Sequence, residues 1–463
     1  MDELAFLPAT EQARLVRERE VSAVELVTLY LERIERIDPA LGAFVTVCAE
    51  AALADARAKA DAPAEAPFHG VPIALKDLDT TSGIRTTFSC RAFAEHVPDF
   101  DLAHVAKTRA AGFVVLGKTN TPEFGTTAFT DSPLNGPCRT PWDLGRNAGG
   151  SSGGAGAAVA AGLVGIAQGS DGGGSIRIPA SCCGLFGFKA SRGRVSNAPF
   201  VPGIGLGTTG PLARTVADAA AYLDVVVGYE WGDPFPAPAP ERVFAEEVAT
   251  DPGRLRIALA TSSPIGTEVD SECLAAARAA ADLLTSLGHD VTEAAPDWGG
   301  EELMEDFLPV WQAIPALYPI ADPSALSPLN QWYLESAVAT SSPAYAGAIG
   351  RLQLRARRVV AFWADYDLLL TPTLALQPVP VGWDTEPEDP REQFDRAARF
   401  TPFTAVFNVT GQPAVSLPLH WTDNGLPIGV QLVGPPLGDA LLFRISAQLE
   451  TARPWHDRRP PHV

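Results

Sequence analysis

The sequence predicts an α/β protein in one large domain: a mixed, mostly parallel, twisted central sheet covered by helices on both faces. Three observations carry that expectation. Helical periods alternate with short β-branched apolar runs along much of the chain, the pattern of a sheet with helices packed on it. At 463 residues, with 46% hydrophobic and 19% charged residues, the chain can bury a large core and lacks the composition of a disordered one. No internal repeat divides it, so a single body spanning 1–463 explains it better than independent modules.

Residues 22–37 (SAVELVTLYLERIERI) place Val24, Leu26, Val27, Tyr30, Leu31, Ile34 and Ile37 at helical spacing, with a serine start signal and Pro39 as the stop. GVPIALKDL (70–78) is a short apolar run with β-branched residues. A helix opening at Ala103, with Asp101 as its N-cap, leads into the strand FVVLGKTN (113–120). The run AGAAVAAGLVGIA (155–167) is too short to span a membrane, and its small residues suit a tightly packed buried helix. A helix at 214–227 is followed by PFPAPAP (234–240), an extended surface connection. RIALA (256–260), a helix at 271–287 and HDVTEA (289–294) restore the strand–helix–strand rhythm. Residues 298–363 form a helical excursion, after which DLLLTPT (367–373), PAVSLPL (413–419) and GVQLVG (429–434) return to strand. The core is expected at about 65–220 and 365–450.

Thirty-five Lys and Arg against 55 Asp and Glu leave a formal charge of −20, which repels phosphate backbones and anionic lipid. Neither nucleic acid nor membrane is an expected partner; a small molecule is, and a second copy of the chain making a homodimer is allowed for. The first residues are acidic and no apolar signal region follows, so a cytoplasmic location is expected. The six cysteines (Cys48, Cys90, Cys138, Cys182, Cys183, Cys273) have no CxxC spacing and read as reduced, buried small hydrophobes.

Three weak motifs are set aside. GLGTTG (205–210) fits GxGxxG, but VPGI rather than a strand precedes it and Pro211 follows. Ser151 and Ser152 each satisfy GxSxG, yet the preceding TPWDLGRNA is turn-like where a nucleophile elbow needs a strand. Glu95, His96, Asp99, Asp101 and His104 resemble metal ligands, although no metal and no organic cofactor is expected.

Three other segments are peculiar for separate reasons. GGSSGG (149–154) surrounds two serines with four glycines, which suits an unusual backbone path or, more plainly, a tight turn with serine caps. GSDGGGSIRIP (169–179) puts three glycines before Ser175, a candidate nest of backbone N–H donors beside a hydroxyl. Lys76 lies in an apolar strand of a chain with five Lys and thirty Arg. A site needing a neutral base accepts Lys and excludes Arg, which cannot lose its proton. Read alone, Lys76 is more simply a snorkelling lysine or one paired with Asp77 or Asp79.

Together these segments resemble the amidase signature family: PIALKD, GGSSGG 75 residues later, and GGGSIRIPA with its serine 24 residues after Ser151. GLFGFKASRGRVS (184–196), GPLARTVADAA (210–220), IERIDPALGAF (34–44), FNVTGQPAVSLP (407–418) and GLPIGVQLVG (425–434) look like family segments too; only about 230–360 does not. The resemblance implies a hydrolase of carboxamides, with Ser175 as nucleophile, Ser151 as a bridging serine in a cis linkage and Lys76 as base. It also implies an oxyanion hole from the backbone N–H groups of Gly172, Gly173, Gly174 and Ser175, with Ser152 orienting the bridge by hydrogen bonding. Cys182 stands where the family has an aromatic, and Ala190 where it has proline. Uncharged amides with an apolar or aromatic portion are the expected substrates, and esters and urethanes present the same carbonyl. A glutamine-hydrolysing subunit of a tRNA-dependent amidotransferase is disfavoured, because Thr401 takes the place of that subunit's aspartate. A catalytically silent binding protein of this fold would not need all three of Lys76, Ser151 and Ser175.

Overall fold

Successive residues of a strand face opposite ways, and here the two sets enter different cores. Ile73 and Leu75 join one, and Ala74 between them joins another. The same split separates Leu368 and Leu370 from Leu369. In the computed structural model, which describes residues 2–60, 62–200, 205–300 and 302–461, these strands belong to one sheet. It contains β1 (Phe44–Val47), β2 (Pro72–Lys76), β3 (Val114–Thr119), β4 (Ile166–Asp171), β5 (Phe186–Lys189), β6 (Thr208–Ala213), β7 (Arg256–Leu259), β8 (Asp290–Glu293), β9 (Leu368–Pro372), β10 (Ala414–Trp421) and β11 (Pro427–Val433). Their order is β1-β3-β2-β4-β6-β5-β10-β11-β9-β7-β8. The VPGI segment (201–204) lies outside the described residues.

The sheet is mixed, as expected, but it is not mostly parallel. Six neighbouring pairs run antiparallel and four parallel. The parallel pairs sit in two blocks, β3-β2-β4 and β9-β7-β8, where helices connect the strands. Between them, β6 returns and inserts between β4 and β5, antiparallel to both. The connection from β10 to β11 is only 422–426, too short for a parallel crossover and sufficient for a hairpin. Helix–strand alternation predicts crossovers; it does not say which later strand will fill the gap between them.

Helices Val216–Val226, Ser271–Ser286 and Asp439–Ala452 cover one face. Helices Ala23–Leu41, Gly153–Ala160 and Arg177–Cys183 cover the other. Ser22 caps the first of these through a reciprocal box with Glu25. Pro39 does not stop that helix, because its missing N–H costs one bond near an end already closed by left-handed Gly42, whose N–H reaches the Asp38 carbonyl at 2.8 Å. Asp101 is not an N-cap; it accepts the Ser82 N–H at 2.7 Å and pairs with Arg109. The helix predicted in 155–167 ends at Ala160, and β4 begins at Ile166.

The excursion supplies a third core through helices Leu303–Trp311, Pro328–Ala339 and Ser342–Ala361. In its arginine-rich stretch RLQLRARR (351–358), Arg355 is buried and donates to the carbonyls of Trp298 and Gly300, each at 2.7 Å. All six cysteines are free and five are buried. Among the described residues no helix is long and apolar enough to cross a membrane.

Candidate active site

Period-two alternation puts Lys76 on the same face of β2 as Ala74, against the helix that starts at Gly153. The strand ends there, and parallel β4 ends beside it at Asp171. Clefts outside the carboxyl ends of parallel strands are where open α/β sheets place ligands. Lys76 Nζ donates to Ser151 Oγ at 2.7 Å and to Ser170 Oγ at 3.1 Å, and lies 3.5 Å from the Ser170 carbonyl. Lys76 is fully buried. Burial lowers its pKa to about 7, against the opposing pull of the Asp79 and Asp171 carboxylates.

The Gly150–Ser151 peptide bond is cis. The loop holding it rests on Thr130, whose hydroxyl donates to the Gly149 carbonyl and accepts the Gly153 N–H. Ser152 does not orient Ser151 directly. Its hydroxyl bonds the backbone of Ser170, donating to the carbonyl at 3.2 Å and accepting the N–H at 3.3 Å, while its own N–H donates to the Ser175 carbonyl at 3.1 Å. As the residue leading into a helix it is turned onto β4, so it ties the two serine loops together through their backbones.

Ser175 follows β4 in a loop shaped by Asp171. That carboxylate accepts the N–H of Gly174 at 2.8 Å and of Ile176 at 3.2 Å. Gly174, expected as an oxyanion donor, therefore gives its N–H to the buried Asp171 carboxylate. Asp171 in turn is gripped by Arg177 Nε at 3.0 Å and Nη2 at 2.8 Å, both side chains fully buried. The guanidinium also reaches Gln431 Oε1, Asn408 Oδ1 and the Thr404 carbonyl. Attraction and hydrogen bonding from Arg177 outweigh burial and hold the Asp171 carboxyl well below the usual range. Asp171→Asn would leave Arg177 charged and half-partnered in the interior. Its expected cost is about 3–5 kcal/mol, read as a lower urea midpoint; an unchanged midpoint would mean the pair does not anchor the loop.

Of the five lysines, Lys118 and Lys189 are buried as well. Lys189 is also lowered to about 7, by burial and then by the Arg177 charge, but it donates only to the carbonyls of Gln412 and Ala190. Lys118 is bound to the Asp79 carbonyl and to Thr81 Oγ1. The Thr81 hydroxyl in turn donates to the Asp79 carbonyl, whereas Lys76 meets two serine hydroxyls, one of them on the cis peptide. The suspected metal cluster disperses: His104 is buried 3.5 Å from Asp79, Asp101 is engaged as above, and Glu95, His96 and Asp99 are exposed.

Ser175, 6% exposed, opens on a cavity of about 490 Å³ including its mouth. Met304, Phe307, Trp311, Phe394, Ala397 and Thr401 line it. The excursion thus gives one helix to the wall, whereas Trp298, Trp332, Tyr333, Tyr345, Trp363 and Tyr366 go to its core. Ser170, Asp171 and Arg177 are functional candidates the sequence reading did not single out. Asp171 and Arg177 bracket the glycine run in GSDGGGSIRIP, the one signal that could have marked them.

The chain belongs to the amidase family, whose Amidase model matches residues 25–443. It is 39% identical to the 6-aminohexanoate-cyclic-dimer hydrolase of Paenarthrobacter ureafaciens, over 98% of this chain and 96% of that protein. It is 35% identical to the acylamidase of Rhodococcus erythropolis, over 99% of this chain and 98% of that one. The solved structure of 6-aminohexanoate cyclic dimer hydrolase complexed with substrate matches it with a TM-score of 0.94 at 37% identity, covering 99% of each chain.

Proposed function

We propose that this amidase cleaves uncharged carboxamides through an acyl-enzyme on Ser175, with Ser151 carrying protons to and from neutral Lys76. The observation that carries the reading is the buried Lys76 Nζ to Ser151 Oγ contact at 2.7 Å. Catalytic hydrogen bonds tighten when substrate is in place, and the Ser175 hydroxyl then hands its proton to Ser151 while Ser151 hands its own to Lys76. The Ser175 oxygen bonds to the carbonyl carbon, and the N–H groups of Gly172, Gly173 and Ser175 take the oxyanion. As the intermediate collapses, the C–N bond breaks and the relay runs backward, so the amine leaves with the proton. Water repeats the sequence on the acyl ester, restoring Ser175 and releasing the carboxylic acid.

Because the base must be neutral, kcat/KM should fall about tenfold per pH unit below the Lys76 pKa of about 7 and level off above it. A limb appearing only near pH 10 would leave Lys76 charged and remove it as the base. The Lys189 titration in the same range has only carbonyl partners and does not enter the relay.

Among the described residues lining the wall none carries a charge, which favours an uncharged acyl portion, as do relatives named for acylamides and for 6-aminohexanoate cyclic dimer. Each methylene buried there is worth about 0.8 kcal/mol, so two more acyl carbons should raise kcat/KM about tenfold until the cavity fills. Acetamide, asparagine or glutamine outperforming longer acyl anilides would defeat this. Thr401 lines the cavity with its hydroxyl spent on the Ala397 carbonyl, so it offers a substrate amino group no charge and weighs against the glutamine-hydrolysing subunit. Esters and urethanes bring the same carbonyl to the same donors and belong in the substrate panel.

A further inference from the structure

The excursion is the part of the chain without family-like segments, yet one of its side chains touches backbone on two sides of the site. Trp311 donates its indole N–H to the Thr126 carbonyl at 2.9 Å. Its six-membered ring lies over the opposite segment, where a Cβ on Gly172 would come within 3.3 Å of two ring atoms and one on Gly173 within 3.7 Å. Beside Thr126, Gly125 is in the left-handed region, and its Cβ position is 3.0 Å from Ser151 Oγ. One indole therefore spans from the segment that packs on Ser151 to the glycines that carry the oxyanion donors.

The segment held by Trp311 is clamped from the same excursion a second time. Buried Glu123 accepts from the Ser327 N–H, the Ser327 hydroxyl and Asn330 Nδ2 at 2.9, 2.6 and 2.8 Å. Asn330 Oδ1 accepts the Thr126 hydroxyl at 2.9 Å. Asn330 is buried and is not part of the cavity wall.

We infer that Trp311 is a positioning residue for amide cleavage: by bracing Thr126 against Gly172 and Gly173 it fixes the distance between the Ser151 side of the site and the oxyanion amides, and Asn330 holds the brace in register. This rests on the Ser175 reading above. Displacing reacting groups by about 1 Å costs on the order of a hundredfold, and a misplaced donor costs rate rather than ground-state binding.

The test is a kcat and KM split measured on acetanilide, too short to need the wall, and on hexanoyl anilide. Trp311→Phe keeps an aromatic ring and loses the N–H; it should lower kcat at least tenfold on both substrates with KM within about twofold. Asn330→Ala, which leaves the wall intact, should show the same split to a smaller degree, and covers the case in which the ring variant is too unstable to assay. Melting temperature is recorded for each, so loss of folded enzyme is scored separately. If Trp311 is only a wall, KM for the hexanoyl substrate rises and kcat for acetanilide stays at the wild-type value, which overturns the proposal. Ser175→Ala run in parallel separates the two levels: turnover by that variant removes the underlying reading, whereas an inactive Ser175→Ala with wild-type kcat in Trp311→Phe and Asn330→Ala removes only the brace.

Discussion

Ser175→Ala should fold normally and lose kcat by about ten-thousandfold or more, the range seen when the attacking hydroxyl of a serine hydrolase is removed. The expectation that folding survives has a structural basis. Ser175 is held through its backbone, by the Ser152 N–H on its carbonyl and by the Asp171 carboxylate that takes the Ile176 N–H after it. Deleting the hydroxyl therefore removes a nucleophile and leaves the loop in place. Residual turnover would come from the oxyanion amides and the bound geometry alone. An activated phosphonate should label Ser175 in the parent enzyme; labelling confined to Ser151 or Ser152 would reverse the assignment.

Lys76→Arg should be nearly as damaging as Lys76→Ala, with both losing several orders of magnitude in kcat. Arginine can carry the ammonium's charge but cannot lose its proton, and alanine can do neither, so similar losses would identify deprotonation as the property that matters. Arginine also has to enter a fully buried position bounded by Ser151, Ser170 and the Lys76 N–H bond to Gln168 Oε1. A circular dichroism melt distinguishes a misfolded variant from a folded and inactive one. Retention of most activity in a folded Lys76→Arg would make the lysine an electrostatic element.

Much of this architecture was legible. The capped helix from Ala23, the strand ending at Lys76 and the pair β7 and β8 around helix Ser271–Ser286 follow from periodicity and start signals. β4, β5 and β6 were hidden by their glycines and by Pro211, residues that weaken strand patterns. Those glycines mark close approach. A Cβ on Gly187 would come within 2.6 Å of the Ala180 side chain, and one on Gly169 within 2.9 Å of Ser152 Oγ, so the covering helix and the serine loop lie directly on the sheet. The β10–β11 hairpin did have a signal in Asn424-Gly425, with Gly425 left-handed.

The sequence by itself determined the residue types of the candidate site: a lysine in a strand where arginine is the routine cation, serines set among glycines, and spacings that mark the family. Those are local properties, since side-chain chemistry and backbone permissiveness travel with the chain. Only the tertiary structure decided which groups meet. It distinguished Lys76 from buried Lys118 and Lys189 by the two serine hydroxyls at its Nζ, turned Ser152 onto β4, gave the Gly174 N–H to Asp171, and brought Trp311 from the distant excursion to rest on Gly172 and Gly173. Contacts of that kind depend on sheet order and on the closing of long loops, which no local pattern encodes.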